Sequence, residues 1–310
     1  VTTVVLLPEA PAPPPPGVAA PSTLGAYRRA VAVRLGPYVQ GTATAGSTTT
    51  LLEAAAWPFA SSLTQDDLYA DHFLFRPDAA APADRTRVVA GYTPSTGQLF
   101  PDRAWTVAPY AGGVGETFEL HGLVPPVVDG VSDLHALINE ALRTCLVVGE
   151  VTLAPVAGAT RHSLALAAPW LEEPSWVHQV GYLSAQEIRE EVDPFRRALR
   201  GEAYKDGGTV YVQHGAHALS PADTLYVRLL KPGSADCRAA GDAWGTQTGL
   251  VLDSDEAPVP VEWVVAATLV QAWLRLANVL APADSQRAGT ELAKAAAQAT
   301  RFQRNYLEAH

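Results

Sequence analysis

Residues 132–148 read SDLHALINEALRTCLVV, and this stretch sets the frame for the rest of the chain. Leu134, Leu137, Ile138, Ala141, Leu142, Cys145 and Leu146 recur at the three- and four-residue spacings of a helix that buries one face. Ser132 is placed to cap its start and Gly149 to end it. Cys145 lies inside the apolar stripe, so packing accounts for it better than reactivity. Working outward, three more segments carry helical patterns. Over 22–36, Leu24, Tyr27, Val31 and Leu35 share a face, with Ser22 as the expected cap and Gly36-Pro37 as the stop. Over 261–280, apolar residues run almost all round the helix, including Trp263, Leu269, Trp273, Leu276 and Leu280, which predicts a core or an interface. After the short link 281–284 the chain returns antiparallel. Ala288, Leu292, Ala295, Ala299, Phe302 and Tyr306 then form a heptad seam of mostly small residues, which allows close helix approach.

The stretches between these helices read as strands. Residues 40–55, 73–75, 87–92, 98–100 and 116–121 alternate or are rich in Thr, Val and aromatics. Pro94-Ser95-Thr96-Gly97 makes a hairpin turn between two of them. The segment 51–121 therefore reads as a small antiparallel barrel or sandwich. Strands resume at 150–153, 163–167, 176–183, 209–214 and 225–230, with a charged, irregular or briefly helical segment at 185–200. The expected fold is α+β: a helical bundle core of four helices with two antiparallel β-rich insertions and an extended Pro-rich N-terminal arm. The core comprises 22–36, 132–149 and 259–310, the insertions 38–131 and 150–258, and the arm 1–21.

In the arm, PEAPAPPPPGVAAP (8–21) enforces extended backbone and forbids helix. It reads either as a disordered leader or as an arm lying along a neighbouring subunit. The apolar tip Val4, Val5, Leu6 and Leu7 favours the arm, since free tails rarely carry such a tip. No basic flank precedes Val1–Leu7 and prolines stand where a cleavage region would be, so no signal peptide is read. The absence of methionine fits a chain numbered from a processed terminus.

The 310 residues carry a formal net charge of -10, with 48% hydrophobic and 17% charged residues. That composition excludes long disorder and argues against a protein held mainly by nucleic-acid phosphates. No run of residues suits a membrane-spanning helix. Cys145 and Cys237 stand alone and are expected to be reduced thiols in a cytoplasmic setting.

Candidate chemistry is sparse. Ala111-Gly112-Gly113-Val114-Gly115 lacks the Lys-Ser/Thr of a phosphate loop and reads as a turn between strands. His214 and His217 form HxxH without the further ligands zinc needs, and His135 has no HExxH partner. Asp66, Asp67 and Asp71, like Asp253, Asp255 and Glu256, are clustered carboxylates in polar or proline-rich stretches, where solvated acids are expected. The seven tryptophans are scattered, which favours core use over a sugar platform. No catalytic residue, cofactor or metal is predicted, and the chain is not read as an enzyme. The residues expected to meet partners are Val4, Val5, Leu6, Leu7, Trp263, Trp273, Leu292, Phe302 and Tyr306.

Taken together, LGAYRRAVAVRLG, TTTLLEA, DHFLFRP, RTRVVAGYTPSTGQLFPDRAWTVAPYAGG, GETFELHG and LHALINEALRTC resemble virion proteins of tailed bacteriophages from GC-rich hosts. DTLYVRLLKPG and VPVEWVVAATLVQAWLRLA, nearer the end, do so as well. The resemblance spans 22–145 and 222–300; the proline-rich leader and Val127-Val128-Asp129-Gly130 depart from it. It implies a head-to-tail connector, or adaptor, located in the neck of the virion and assembled in the bacterial cytoplasm. Such proteins form rings of about twelve copies against the portal protein and a downstream neck or tail protein. DNA would pass through the lumen without sequence-specific binding, and an acidic lumen would let it slide. No membrane partner is implied. The alternative class is a tail or tail-tip protein that binds a host surface glycan through its β insertions. A wall hydrolase is a third class, against which the lack of a convergent acid pair or zinc set counts.

Overall fold

The computed structural model describes residues 22–52, 69–122, 131–195, 201–215, 219–242, 245–279 and 282–309, apart from 94, 112, 169, 172, 173, 191 and 194. The arm over 1–21, with Val4, Val5, Leu6 and Leu7, lies outside these residues, as do Trp57, Asp66, Asp67, His217 and Trp244.

The described chain opens on β1 (Ser22–Thr23) and α1 (Leu24–Leu35). The cap falls one residue later than the sequence suggests. Thr23 Oγ1 accepts from the Ala26 amide at 3.2 Å, and Ser22 and Thr23 together form a short antiparallel ladder with Ala257 and Glu256. The buried stripe of α1 contains Leu24, Tyr27, Val31 and Leu35, and also Arg28.

A seven-stranded antiparallel sheet follows. Its strands are β2 (Tyr38–Thr42), β3 (Ala45–Ser47), β4 (Thr50–Leu52), β5 (Phe73–Phe75), β6 (Thr86–Thr93), β7 (Gln98–Pro101) and, after the small hairpin β8 (Tyr110–Ala111) and β9 (Val114–Gly115), β10 (Thr117–His121). Their spatial order is β2-β10-β5-β6-β7-β4-β3. The two edge strands, β2 and β3, are therefore consecutive in the chain. In a flat sheet those edges would stand about 29 Å apart, yet the link from Thr42 to Ala45 reaches at most about 11 Å. The sheet must curl until its edges meet. A bulge between Val89 and Gly91 in the β6–β7 pairing adds twist. Leu51, Leu74, Val89, Tyr92, Leu99, Trp105, Phe118 and Leu120 fill the inside. At the seam the Ala43 amide donates to Glu116 O at 3.0 Å, and a Cβ on Gly115 would fall 1.7 Å from Ala43 O. Gly122 N donates to Pro37 O at 2.7 Å, so the chain leaves this unit beside the point where it arrived.

Next comes α2 (Val131–Thr144) and then β11 (Leu146–Leu153). The helix stops short of the expected Val148. The Leu146-Val147-Val148 run pairs with Pro232-Lys231-Leu230 instead, an environment that suits β-branched side chains. The chain continues through β12 (Arg161–Ser163), β13 (Val177–Leu183), α3 (Ala185–Arg189), β14 (Gly201–Asp206), β15 (Thr209–His214) and β16 (Thr224–Pro232). These strands form two three-stranded sheets, β11-β16-β13 and β12-β15-β14. Val180, Leu225, Val227 and Leu229 of the first meet Val210, Val212 and Leu164 of the second in one cluster. This unit also returns to its starting point: Gly233 N donates to Cys145 O at 2.7 Å.

The chain ends with β17 (Glu256–Ala257), α4 (Val261–Val279) and α5 (Pro282–Ala309). Helices α1, α2, α4 and α5 share a third cluster, with Tyr27, Leu134, Leu137, Ile138, Cys145, Trp263 and Val264 at its centre. Both cysteines are free and buried.

The expected four-helix bundle core does not describe this fold. Among the described residues the molecule is mixed but sheet-rich, dominated by the curled seven-stranded sheet and the two three-stranded sheets. The physical reason is that each β unit carries enough apolar residues to close a cluster of its own. The helices supply one cluster of three, not a centre from which the strands branch.

The seam makes a direct test. Gly115→Ala places a methyl against the Ala43 carbonyl, and should cost about 1–3 kcal/mol in urea unfolding. Gly215→Ala, which meets no atom within 4 Å, should leave stability unchanged or slightly raised.

Candidate functional site

Among the described residues, the most concentrated set of chemically capable side chains lies where α1 meets the curled sheet. Arg28 falls on the apolar stripe of α1 and is fully buried. Its Nε donates to Glu119 Oε2 at 2.8 Å and its Nη2 to Glu119 Oε1 at 2.8 Å, a bidentate pair. Nη2 also donates to Asp253 Oδ2 at 2.6 Å. Nη1 donates to Asp253 Oδ1 and faces His135 Nε2 at 3.2 Å. All five guanidinium N–H donors are thus engaged. The Phe75 ring lies under the guanidinium, 4.4 Å from its carbon to the ring centroid. Glu119 Oε2 accepts in addition from His121 Nε2 at 3.1 Å, and Arg29 Nη1 approaches Oε1 at 3.5 Å.

Burial alone would push Glu119 toward the protonated form. The hydrogen bonds from Arg28 and His121 and the Arg28 charge outweigh it and bring its pKa from 4.5 down to about 2. Burial likewise opposes the charge on Arg28, but the two carboxylates hold its pKa above the ordinary value. His135 is pushed down from 6.5 to about 4, first by burial and then by the neighbouring guanidinium. A neutral His135 accepts from Arg28, so its proton belongs on Nδ1.

This cluster has the residue types of an acid–base site, but not its accessibility. The Arg28 and Glu119 side chains are 0% and 1% exposed, so solvent does not reach the bidentate pair. At its centre the ions pair with one another, while the Asp253 side chain keeps 32% exposure. What the arrangement does is fasten four segments together: α1, β10 through Glu119, α2 through His135, and the 250–255 turn through Asp253. The same turn is braced by Asp255, whose Oδ2 accepts from the Val251 and Leu252 amides at 2.7 Å each. Tyr27 OH donates to Val259 O at 2.5 Å one turn away.

The sequence reading placed Asp253, Asp255 and Glu256 among solvated acids. In the structure Asp253 is bound to Arg28, Asp255 is buried, and Glu256 pairs with Arg238 at 2.6 Å. His135, which lacks an HExxH partner in sequence, joins the junction. The available signal was Arg28 itself, a charge at the register of an apolar stripe, which requires a buried counter-ion.

Of the predicted interface residues, Trp263 is buried and its ring lies 5.3 Å from that of Tyr306. Trp273, Phe302 and Tyr306 are partly buried against the helical cluster, and Leu292 is half-buried. They bring α4 and α5 together within one chain. Beyond the end of α4, α5 lies on the edge of β11. There Gln303 pairs with both polar groups of Leu146, at 2.9 and 3.2 Å, and Tyr306 OH accepts from the Val148 amide at 3.3 Å. His214 meets His162, a contact invisible in sequence.

No family model, no curated protein and no solved structure matches this chain.

Removing one partner of the sealed pair should be costly. Arg28→Met leaves Glu119 buried without its ion and should lower unfolding free energy by about 3–5 kcal/mol. Arg161→Met, at an exposed pair, should change it by about 1 kcal/mol or less. Acid should weaken the junction in two windows. Between pH 6.5 and 4 the unfolded chain takes up a proton that folded His135 refuses, so stability falls as pH falls; Glu119 adds the same sign between 4.5 and 2. His135→Phe should flatten the first window in chemical-denaturation curves recorded from pH 7.5 to 4.

Proposed function

We propose that this chain is a structural virion protein of a tailed phage, a head-to-tail connector that forms a ring between portal and tail, with no catalytic role. The observation that carries the reading is the patterned resemblance over 22–145 and 222–300. The Arg28 junction supports it, since the densest cluster of acid–base residues among the described residues is spent on internal fastening. The C-terminal helix adds a surface suited to repeated copies. Arg287, Lys294 and Arg301 are exposed and recur every seven residues, so they line up along α5. On a chain with formal charge -10, such a row fits the acidic surface of the next copy.

A ring of about twelve copies is expected by mass measurement and image averaging. The triple variant Arg287→Glu, Lys294→Glu, Arg301→Glu should leave the folded monomer's melting temperature unchanged and weaken assembly at least tenfold. Deleting 284–310 is a poorer probe, because it strips Tyr306 from Trp263 and uncovers β11.

One observation favours the second reading, a tail or tip protein that binds a surface glycan. On the outer face of the β12-β15-β14 sheet, Tyr204 and Tyr211 stack at 5.9 Å. Arg161 lies over Tyr211 at 3.7 Å and pairs with Asp206 at 2.6 Å. Aromatic faces flanked by charged hydrogen-bonding groups are suited to sugars. Assemblies of about three or six copies, with glycan binding lost in Tyr204→Ala, Tyr211→Ala, would replace the connector reading with this one.

A further inference from the structure

The two buried imidazoles of the second β unit are not used by either reading. His162 sits at the centre of β12 and His214 ends β15; they are 6% and 2% exposed. Their Nε2 atoms are 3.2 Å apart and their rings lie within 12° of parallel, with centroids separated by 5.3 Å. The centroid separation exceeds the nitrogen separation by about the reach of two rings, so the imidazoles meet tip to tip rather than face to face.

Their hydrogen bonding fixes where the protons are. His214 Nδ1 lies 2.9 Å from Gly215 O. A carbonyl only accepts, so Nδ1 carries the hydrogen and the neutral ring's Nε2 is bare. His162 Nε2 must then donate to it. The neutral pair therefore makes one N–H···N bond in a nearly dry site. A proton added to His214 Nε2 sets two N–H groups against each other. One added to His162 leaves a cation whose fixed partner is the Ala159 carbonyl. Burial, and then His214, hold His162 below its ordinary pKa.

Charges that could relieve this lie elsewhere. Arg161, Glu202 and Asp206 alternate onto the opposite face of the sheet, and Lys205 shares the inner face but pairs with Val210 near the hairpin turn. Across the sandwich, β13 and β16 turn Val180, Leu225, Val227 and Leu229 inward, while Arg228 packs over the Phe195 ring. Among the described residues, no carboxylate hydrogen-bonds either imidazole.

We propose that the His162–His214 pair is an acid-operated latch. Protonation brings charge into this nearly dry site: a first proton, on His162 Nδ1, keeps the N–H···N bond at the cost of a buried cation, and a second, on His214 Nε2, breaks the pair and frees β15, with the β14–β15 hairpin it carries, from β12 and from the sandwich. The pair is flanked by the two backbone bonds that would open with it, His214 N to Thr160 O and Leu164 N to Val210 O, both 3.0 Å. Release would also separate Arg161 from Tyr211, while Tyr204 and Tyr211 stay paired within the freed hairpin.

The sign follows from linkage. The unfolded segment binds protons more readily than the folded one, so local stability is full above the ordinary histidine pKa of about 6.5 and falls as pH drops below it. The experiment is hydrogen exchange on the full chain at pH 7.5 and pH 5, expressed as protection factors so that the chemical pH dependence cancels. Protection of the His214 and Leu164 amides should fall at least tenfold more than that of Leu120 in the curled sheet. His162→Gln and His214→Gln both keep a hydrogen-bonding side chain that can rotate between donor and acceptor, and neither adds charge. Each should remove most of the local pH dependence. Equal protection at both pH values in the native chain would overturn the proposal, as would an undiminished acid loss in both variants. Finding a stoichiometric transition metal on the purified protein, released by either variant, would overturn it too and make the pair a ligand set.

Discussion

Burial of the Arg28 guanidinium constrains everything around it. An unpaired charge at that depth costs several kcal/mol, a large share of a protein's net stability, so α1 docks where carboxylates await it. Glu119 comes from a strand of the curled sheet and Asp253 from a turn near the other end of the chain. The junction therefore cannot form from any one unit. It sets the register of α1 against two surfaces at once, whereas the apolar stripe of Leu24, Tyr27, Val31 and Leu35 alone would tolerate sliding by a turn. Five donors in a fixed fork, each with a partner, admit one arrangement.

The rest of the molecule shows a division of labour between such polar fixtures and apolar clusters. Each β unit closes its own cluster, and the helices close the third. Polar side chains then join what the clusters leave separate. Gln303 continues the hydrogen bonding of the β11 edge with a side-chain amide, which both anchors α5 and blunts a sheet edge. In the curled sheet, Arg76 reaches Glu116 and the Val107 carbonyl beneath the Trp105 ring. Asp84 gathers the Thr106 and Val107 amides.

Much of the local structure was legible in sequence, because it is written in periodicity. The stripe of α2, the strand alternation of β6 and β16, and the turn at Gly97, whose φ of 70° favours glycine, each rest on residues within a few positions of one another. What periodicity does not carry is pairing over long separations. Arg28 and Asp253 are 225 residues apart, and His162 and His214 are 52 apart. The same limit explains the misjudged centre of the fold. Helical stripes announce a buried face over one short stretch, while the curled sheet's core appears only once seven strands are ordered. The end of α2 was overrun for a related reason: Leu146-Val147-Val148 suits a helix by spacing and a strand by shape, and pairing with β16 decides between them.

The hydrogen bonds Gly122 N–Pro37 O and Gly233 N–Cys145 O give the chain a bracketed grammar. Each β unit is a parenthesis whose two marks touch. A segment that folds by itself brings its own ends together, so the surrounding helices meet a short splice rather than a long open loop. Closing an unstructured loop becomes more costly with length, by about 0.6 kcal/mol per doubling, and a prefolded parenthesis removes that cost. It also makes the contents exchangeable. Another unit with the same end spacing could be spliced at either bracket without moving α1, α2 or α4. Among the described residues, the first parenthesis is sewn to its surroundings by a buried ion pair, because Glu119 reaches out of it to Arg28. The second unit, held by the neutral side chains of Gln303 and Tyr306 at the β11 edge, is the freer of the two to be exchanged.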